Sequence, residues 1–148
     1  MENKQTALFV CLGNICRSTM AEGIFNHILK ERGLQDKWLV DSAATSTYQI
    51  GNPPDDRAIA VMKKHGLSMD HTARQITAED FTKFKYIFGM DKENIQDLKR
   101  VKPKGSPSEI LLLGKYDPRG KSDIIEDPYF ESGMKPFETV YEQCTSKL

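Results

Sequence analysis

Short apolar runs alternate with longer stretches of helical period along this chain, and that alternation leaves few architectures open. Ala7-Leu8-Phe9-Val10 is apolar without interruption, as suits a short strand covered on both faces. Ser18 to Arg32 follows, with Met20, Ile24, Ile28 and Leu29 on one helical face and Gly33 as a stop. Trp38 to Val40 reads as a second strand, and Asp55 to His65 as a second helix closed by Gly66. Thr77 with Asp80 resembles a capping box opening a short helix. Tyr86 to Met90 predicts a third strand, followed by a helix through about Arg100, and Glu109 to Leu113 a fourth strand. Phe137 to Cys144 predicts a last helix, entered through Pro136. Lys102 to Ser108 is the best loop, and no stretch has the length or composition of an interdomain linker. The expectation is a single α/β domain over 1–148, its parallel sheet covered by helices on both faces. Ligands in such sheets bind beyond the carboxyl ends of the strands.

Lys+Arg and Asp+Glu both number 21, so no global field draws the chain toward nucleic acid or an acidic membrane. Any preference for anions must be local. Cys11, Cys16 and Cys144 make an odd, low cysteine count that argues against a secreted disulfide framework. The run Ala7 to Leu12 is too short for a usual signal-peptide core or a membrane span. A cytoplasmic protein with reduced thiols is expected.

The loop after the first strand reads Cys11-Leu12-Gly13-Asn14-Ile15-Cys16-Arg17-Ser18: a cysteine, five residues, an arginine, then a serine at the mouth of a helix. As bare spacing the motif is weak, because short patterns recur by chance. Its place between strand and helix adds the physics of phosphate capture. A tight loop points several amides at one centre, and the helix start adds the positive end of its dipole. Gly13 and Asn14 tolerate the positive φ that such a loop needs. Arg17 offers a planar fork for two phosphate oxygens. The same field favours the thiolate of Cys11, so one arrangement binds a dianion and prepares a nucleophile. The bland alternative makes Cys11 a small buried hydrophobe and Arg17 a surface charge. Cys16 is a packing residue with the option of a reversible disulfide to Cys11.

Together with Asp41-Ser42-Ala43-Ala44-Thr45, Gly51-Asn52-Pro53-Pro54-Asp55, His71, Arg74-Gln75 and Glu126-Asp127-Pro128-Tyr129, this loop resembles the low-molecular-weight protein tyrosine phosphatase family over nearly the whole chain, most closely its eukaryotic members. The resemblance implies a four-stranded parallel sheet and a phosphatase acting on phosphotyrosine proteins and small aryl phosphates through a phosphocysteine, with acid phosphatase activity. It implies Cys11 as nucleophile, Arg17 as phosphate-binding arginine and Asp127 as general acid. Leu12, Gly13, Asn14, Ile15, Cys16 and Ser18 complete the phosphate-binding loop. Ser18 eases departure of the thiolate, Ser42 and His71 join Asn14 in a supporting network, and Tyr48 and Tyr129 wall the pocket. Tyr129 is also a phosphorylation site in that family. On residues alone, Asp117-Pro118 and Asp127-Pro128 are equally good as turns; Tyr129 and the resemblance favour the second.

Departures from the family pattern are Thr19 where many members have Pro, Phe130 where many have a second Tyr, and a shorter C-terminus without further cysteines. No metal or cofactor is expected, because three scattered histidines and no paired cysteine ligands do not suggest zinc. His27 and His65 are assigned no chemistry. The chain is expected to be a monomer or to self-associate weakly. The rival functions are an arsenate reductase and a phosphotyrosine-binding pseudo-enzyme on the same fold. The first needs redox cysteines that Thr72 to Met90 lacks, and the second would be expected to lack nucleophile or acid.

Overall fold

A computed structural model describes residues 4–69, 71–113 and 137. Four strands form one parallel sheet: β1 (Gln5–Cys11), β2 (Trp38–Ala44), β3 (Tyr86–Gly89) and β4 (Glu109–Leu112), in the order β2-β1-β3-β4. The helices are α1 (Arg17–Glu31), α2 (Asp56–Lys64), the short α3 (Asp80–Lys83) and α4 (Lys92–Val101).

The uninterrupted apolar run of β1 is explained by its central place. Ala7, Phe9 and Cys11 pack with Met20, Ala21 and Ile24 of α1 and Ala58, Val61 and Met62 of α2. The alternate residues Leu8 and Val10 pack with Phe81, Phe84 and Leu98 from the α3 and α4 side. A strand buried on both faces has no polar phase, because successive side chains serve opposite cores. Phe137 is fully buried in the first of these cores, beneath the Arg57 guanidinium at 4.4 Å from its ring. The remainder of the expected last helix lies outside the described residues.

Two glycines stop helices for a definite reason. After α1, Gly33 takes φ 67°, its amide donates to the Lys30 carbonyl, and Leu34 donates to Leu29. After α2, Gly66 takes φ 79° with the same pair of bonds, to Lys63 and from Leu67 to Met62. Both are the left-handed cap that closes a helix by consuming its last free carbonyls. Asp55 and Asp91 cap the starts of α2 and α4 by accepting from Arg57 and Asn94 amides. The expected capping box at Thr77 is half realised: Asp80 accepts the Thr77 amide at 2.8 Å and its hydroxyl at 3.2 Å.

One strand runs further than the sequence suggests. β2 continues past Val40 through Asp41 and Ser42 to Ala44, paired residue by residue with β1 up to Cys11. Its apolar signal fades there because Ser42 is buried and Asp41 half-buried in a polar network described below. From β1 the chain turns to β2 on one side and later returns to β3 on the other. The carboxyl ends of β1 and β3 therefore border the crevice in which doubly wound sheets bind ligands.

Candidate active site

The loop 11–17 leaves β1 at that crevice and enters α1. Cys11 Sγ lies 3.0 Å from Ser18 Oγ and accepts the Asn14 amide at 3.2 Å. Asn14 takes φ 59°, the only positive φ among the described non-glycine residues. Gly13 does not take one; a Cβ there would meet the Gln49 side chain at 3.3 Å. The left-handed turn thus rests on Asn14, whose amide side chain holds it in place.

That side chain is fully buried and uses both its ends. Nδ2 donates to Ser18 Oγ at 2.9 Å and to Ser42 Oγ at 3.0 Å. Oδ1 accepts the Arg74 amide at 3.1 Å, which fixes which end is oxygen, and His71 Nε2 at 2.6 Å. Because Ser18 Oγ accepts from Asn14, its proton is available to donate to Cys11 Sγ. Replacing Asn14 by Ala is expected to destabilise the fold by about 3–4 kcal/mol, since it strands buried partners and removes the polar side chain through which asparagine tolerates the left-handed region. Asn14→Gly should recover about 1 kcal/mol of that loss, because it removes the backbone strain alone. Urea denaturation of the two variants separates the contributions; equal losses would mean that the φ of Asn14 is not strained.

The outer side of the loop is stitched to its neighbours. The carbonyls of Cys11, Leu12 and Ile15 accept the amides of Thr45, Ser46 and Asp55, and Leu12 also accepts the Ser46 hydroxyl at 2.7 Å. In a trans peptide the N–H points opposite to the C=O. The following amides, of Leu12, Gly13 and Cys16, are therefore turned away from these partners. Ile15 and Cys16 are buried in the core below, so Cys16 has the packing role given to it. No disulfide joins Cys11 to Cys16.

Arg17 begins α1 and is 2% exposed. Its Nη1 donates to Asp91 Oδ2 at 2.6 Å, while Asp91 Oδ1 caps α4. Asp91 follows the end of β3, so this ion pair bridges the two strands that border the crevice. Thr19, at the family's Pro position, donates from Oγ1 to the Cys16 carbonyl at 3.2 Å within the first turn.

Behind the loop the network continues. Ser42 Oγ donates to Glu22 Oε1 at 2.5 Å and lies 3.3 Å from His71 Nε2. Arg74 grips Asp80 through both terminal nitrogens, at 2.9 and 3.0 Å, and reaches Asp41 Oδ2 through Nε at 3.2 Å. Burial pushes the Asp80 carboxyl up, but the bonds from Arg74 and Thr77 outweigh it and hold it below the ordinary range. The Glu22 carboxyl is pushed up to about 7, mainly by burial and further by Asp41, against the opposing pull of Ser42 and Arg74.

Since the folded chain holds the Glu22 proton from the unfolded value of 4.5 up to about 7, stability from this group is present at low pH and declines as pH rises through that window. Glu22→Gln should therefore remove about 1–3 kcal/mol of the stability lost between about pH 5 and about pH 8. Paired denaturation curves at the two pH values measure it; parallel curves for wild type and variant would refute it.

Of the residues expected in the site, Cys11, Asn14, Arg17, Ser18, Ser42 and His71 are brought together. Tyr48 is 79% exposed on the turn after β2, its amide 3.5 Å from the Ser46 hydroxyl that also bonds Leu12, so it stands beside the loop. Asp127 and Tyr129 lie outside the described residues. Two participants were not expected from sequence. Glu22 is four residues after Ser18, hence on the same helical face, and Asp91 is the second residue beyond a strand at the switch point.

The family model described as low molecular weight phosphotyrosine protein phosphatase matches residues 6–148. This chain belongs to that family. The low molecular weight phosphotyrosine protein phosphatase of Gallus gallus is 55% identical over 142 residues, 95% of this chain and 89% of that protein. The crystal structure of Primo-1 superposes with a TM-score of 0.92 at 47% identity, covering 97% of this chain and 93% of the other. A drosophila arginine phosphatase superposes with a TM-score of 0.90 at 42% identity, covering 95% and 91%. Membership of this phosphatase family accords with a cradle built from a thiol, an arginine and a helix start. Among the described residues no helix is long and apolar enough to cross a membrane.

Proposed function

We propose that this chain, acting as one domain over 1–148, is a phosphatase that removes phosphate from phosphotyrosine proteins and small aryl phosphates, with Cys11 as the covalent nucleophile. The observation that carries the reading is Cys11 Sγ held between the Ser18 hydroxyl and the Asn14 amide at the start of α1, beside a buried arginine. The thiolate attacks phosphorus and expels the phenolate. Arg17 and the loop amides bear the charge of the equatorial oxygens. Asp127 gives its proton to the leaving oxygen as the Sγ–P bond forms. The Asp127 carboxylate then takes a proton from water, which attacks phosphorus and releases the thiolate, with the Ser18 hydroxyl donating to the departing sulfur. The side chains named suffice for both steps.

Tyr48 and Tyr129 supply the aromatic walls, and an aryl group between them accounts for broad acid phosphatase activity on aryl esters. A balanced net charge and a local anion site favour protein and small-molecule substrates over nucleic acid or membrane surfaces. We infer further a cytoplasmic protein that is a monomer or associates weakly with itself.

The test compares turnover of phosphotyrosine, phosphoarginine and an alkyl phosphate. Preference for phosphotyrosine supports the reading. Preference for phosphoarginine would move this chain toward the substrate named for its Drosophila relative. Asp127→Ala should lower kcat on phenyl phosphate by about 10²–10³-fold and on para-nitrophenyl phosphate by less, because a better leaving group needs less protonation. Equal losses on both esters would remove Asp127 from the general-acid role.

A further inference from the structure

The balanced net charge of this chain conceals a segregation along the strand axis. Three helices start at the crevice. α1 continues the loop, the Asp55 amide before α2 bonds the Ile15 carbonyl of the loop, and Asp91 before α4 pairs with Arg17. Their last turns therefore lie toward the opposite face, where the parallel strands begin. Those last turns are basic: Lys30 in α1, Lys63 and Lys64 in α2, Lys99 and Arg100 in α4. The acids stand at the other end, with Asp56 and Glu93 in the first turns of α2 and α4. Helix dipoles favour this arrangement.

Dipoles do not account for the strand starts, because a sheet has only a small net dipole. Yet an exposed lysine is the residue immediately before each of β1, β2 and β3: Lys4, Lys37 and Lys85. These three strands are neighbours in the sheet. Gln5 pairs with Trp38, so Lys4 and Lys37 enter side by side, and the Lys85 amide donates to Thr6 Oγ1 at 2.7 Å, two residues further along. Adjacent strands are about 4.8 Å apart, and like charges opposite each other there oppose folding. The exposed Lys104 extends the row in the loop before β4. Among the described residues the acids at this end are Glu31, Asp36, Asp97 and Glu109; His27 engages Glu31, and Arg100 engages Asp97.

We propose that this face, made of strand starts and helix ends, docks the protein on an anionic lipid surface with the catalytic crevice turned away from it. The cations are spread over the ends of a sheet and its helical layers, a span of about 30 Å, and are not gathered around a pocket. A leaflet rich in phosphatidylserine is flat and negative over such a span, so it can meet them together, whereas an acidic peptide covers only part of the row. The acidic helix starts at the other end are repelled by the same surface, so docking is oriented even though the net charge is balanced. β1, seven residues long, separates the two ends by about 20 Å, which leaves the cradle open to phosphorylated segments above the leaflet. The lipid is a support and not a substrate, so the docking is independent of the phosphatase reading.

Sedimentation of the full-length chain with vesicles tests this. It should bind phosphatidylcholine vesicles containing about 30% phosphatidylserine, release them as salt rises, and ignore pure phosphatidylcholine. Lys37→Glu should weaken binding at least about fivefold. Lys92→Glu makes the same change in net charge at the first residue of α4, on the crevice end, and should weaken it less than about twofold. Reversing Lys4, Lys37 and Lys85 together should weaken it at least about 100-fold, with circular dichroism confirming the fold. The single tryptophan, Trp38, follows Lys37 and reports orientation without any substitution. Its fluorescence should be quenched by vesicles whose phosphatidylcholine carries a nitroxide on the headgroup. Equal binding to neutral vesicles, equal losses in Lys37→Glu and Lys92→Glu, or binding without quenching of Trp38 would overturn the proposal. Tighter binding to soluble polyglutamate than to the acidic vesicles would also overturn it, by assigning the face to an acidic protein.

Discussion

Cys11→Ser is expected to lower kcat on para-nitrophenyl phosphate by at least about 10⁴-fold while leaving phosphate binding in place. A serine hydroxyl at this position is close in size but stays protonated near neutral pH, so it cannot replace the thiolate as nucleophile. The oxyanion partners are separate groups: Arg17 is positioned by Asp91, and the loop is held outward by Thr45, Ser46 and Asp55. The substitution therefore removes the reacting atom and keeps the cradle. Steady-state rates together with calorimetric binding of phosphate check both halves. Turnover near the wild-type rate would exclude a covalent intermediate at this residue.

Arg17→Lys should lower kcat/KM by about 10²–10³-fold, equivalent to about 2.7–4 kcal/mol of transition-state stabilisation. Arginine carries a rigid planar fork, so one nitrogen can hold Asp91 at 2.6 Å while others face the phosphoryl oxygens. Lysine is a point charge on a flexible stem and cannot bridge both with fixed geometry. Position 17 is 2% exposed, so the ammonium would also be less easily hydrated there. Asp91→Asn keeps an acceptor and loses the charge, and should cost about tenfold. Kinetics on an aryl phosphate, with urea denaturation to confirm the fold, measure the series. If lysine serves as well as arginine, the fork geometry is not used.

Much of the fold was legible because the central strand is so uniform. Ala7 to Val10 shows no polar phase, and it is buried on both faces between two helical layers. Gly33 and Gly66 mark helix ends because both caps need a left-handed backbone. The second half of β2 was obscure for the opposite reason: Asp41 and Ser42 interrupt the apolar signal, Ser42 being buried by its bonds to Asn14 and Glu22 and Asp41 being half-buried and held by Arg74.

The site divides in the same manner. The loop 11–18 is contiguous, so its chemistry can be read from spacing and from the helix that follows. Ser42 and His71 entered through family resemblance, since nothing local tells a buried serine on a strand from a functional one. Glu22 and Asp91 were missed because their roles exist only after folding: one looks like any surface acid of an amphipathic helix, the other like an ordinary helix cap. Of Gly13 and Asn14, the two residues expected to tolerate a positive φ, Asn14 takes it and Gly13 does not.

The most direct test of the central claim is to quench the enzyme in acid during turnover of an aryl phosphate and locate the phosphoryl group by peptide mass spectrometry. A transient phosphoryl adduct on Cys11, absent from the Cys11→Ser chain, is the predicted result. Full turnover with no adduct, or an adduct on any other residue, would contradict it.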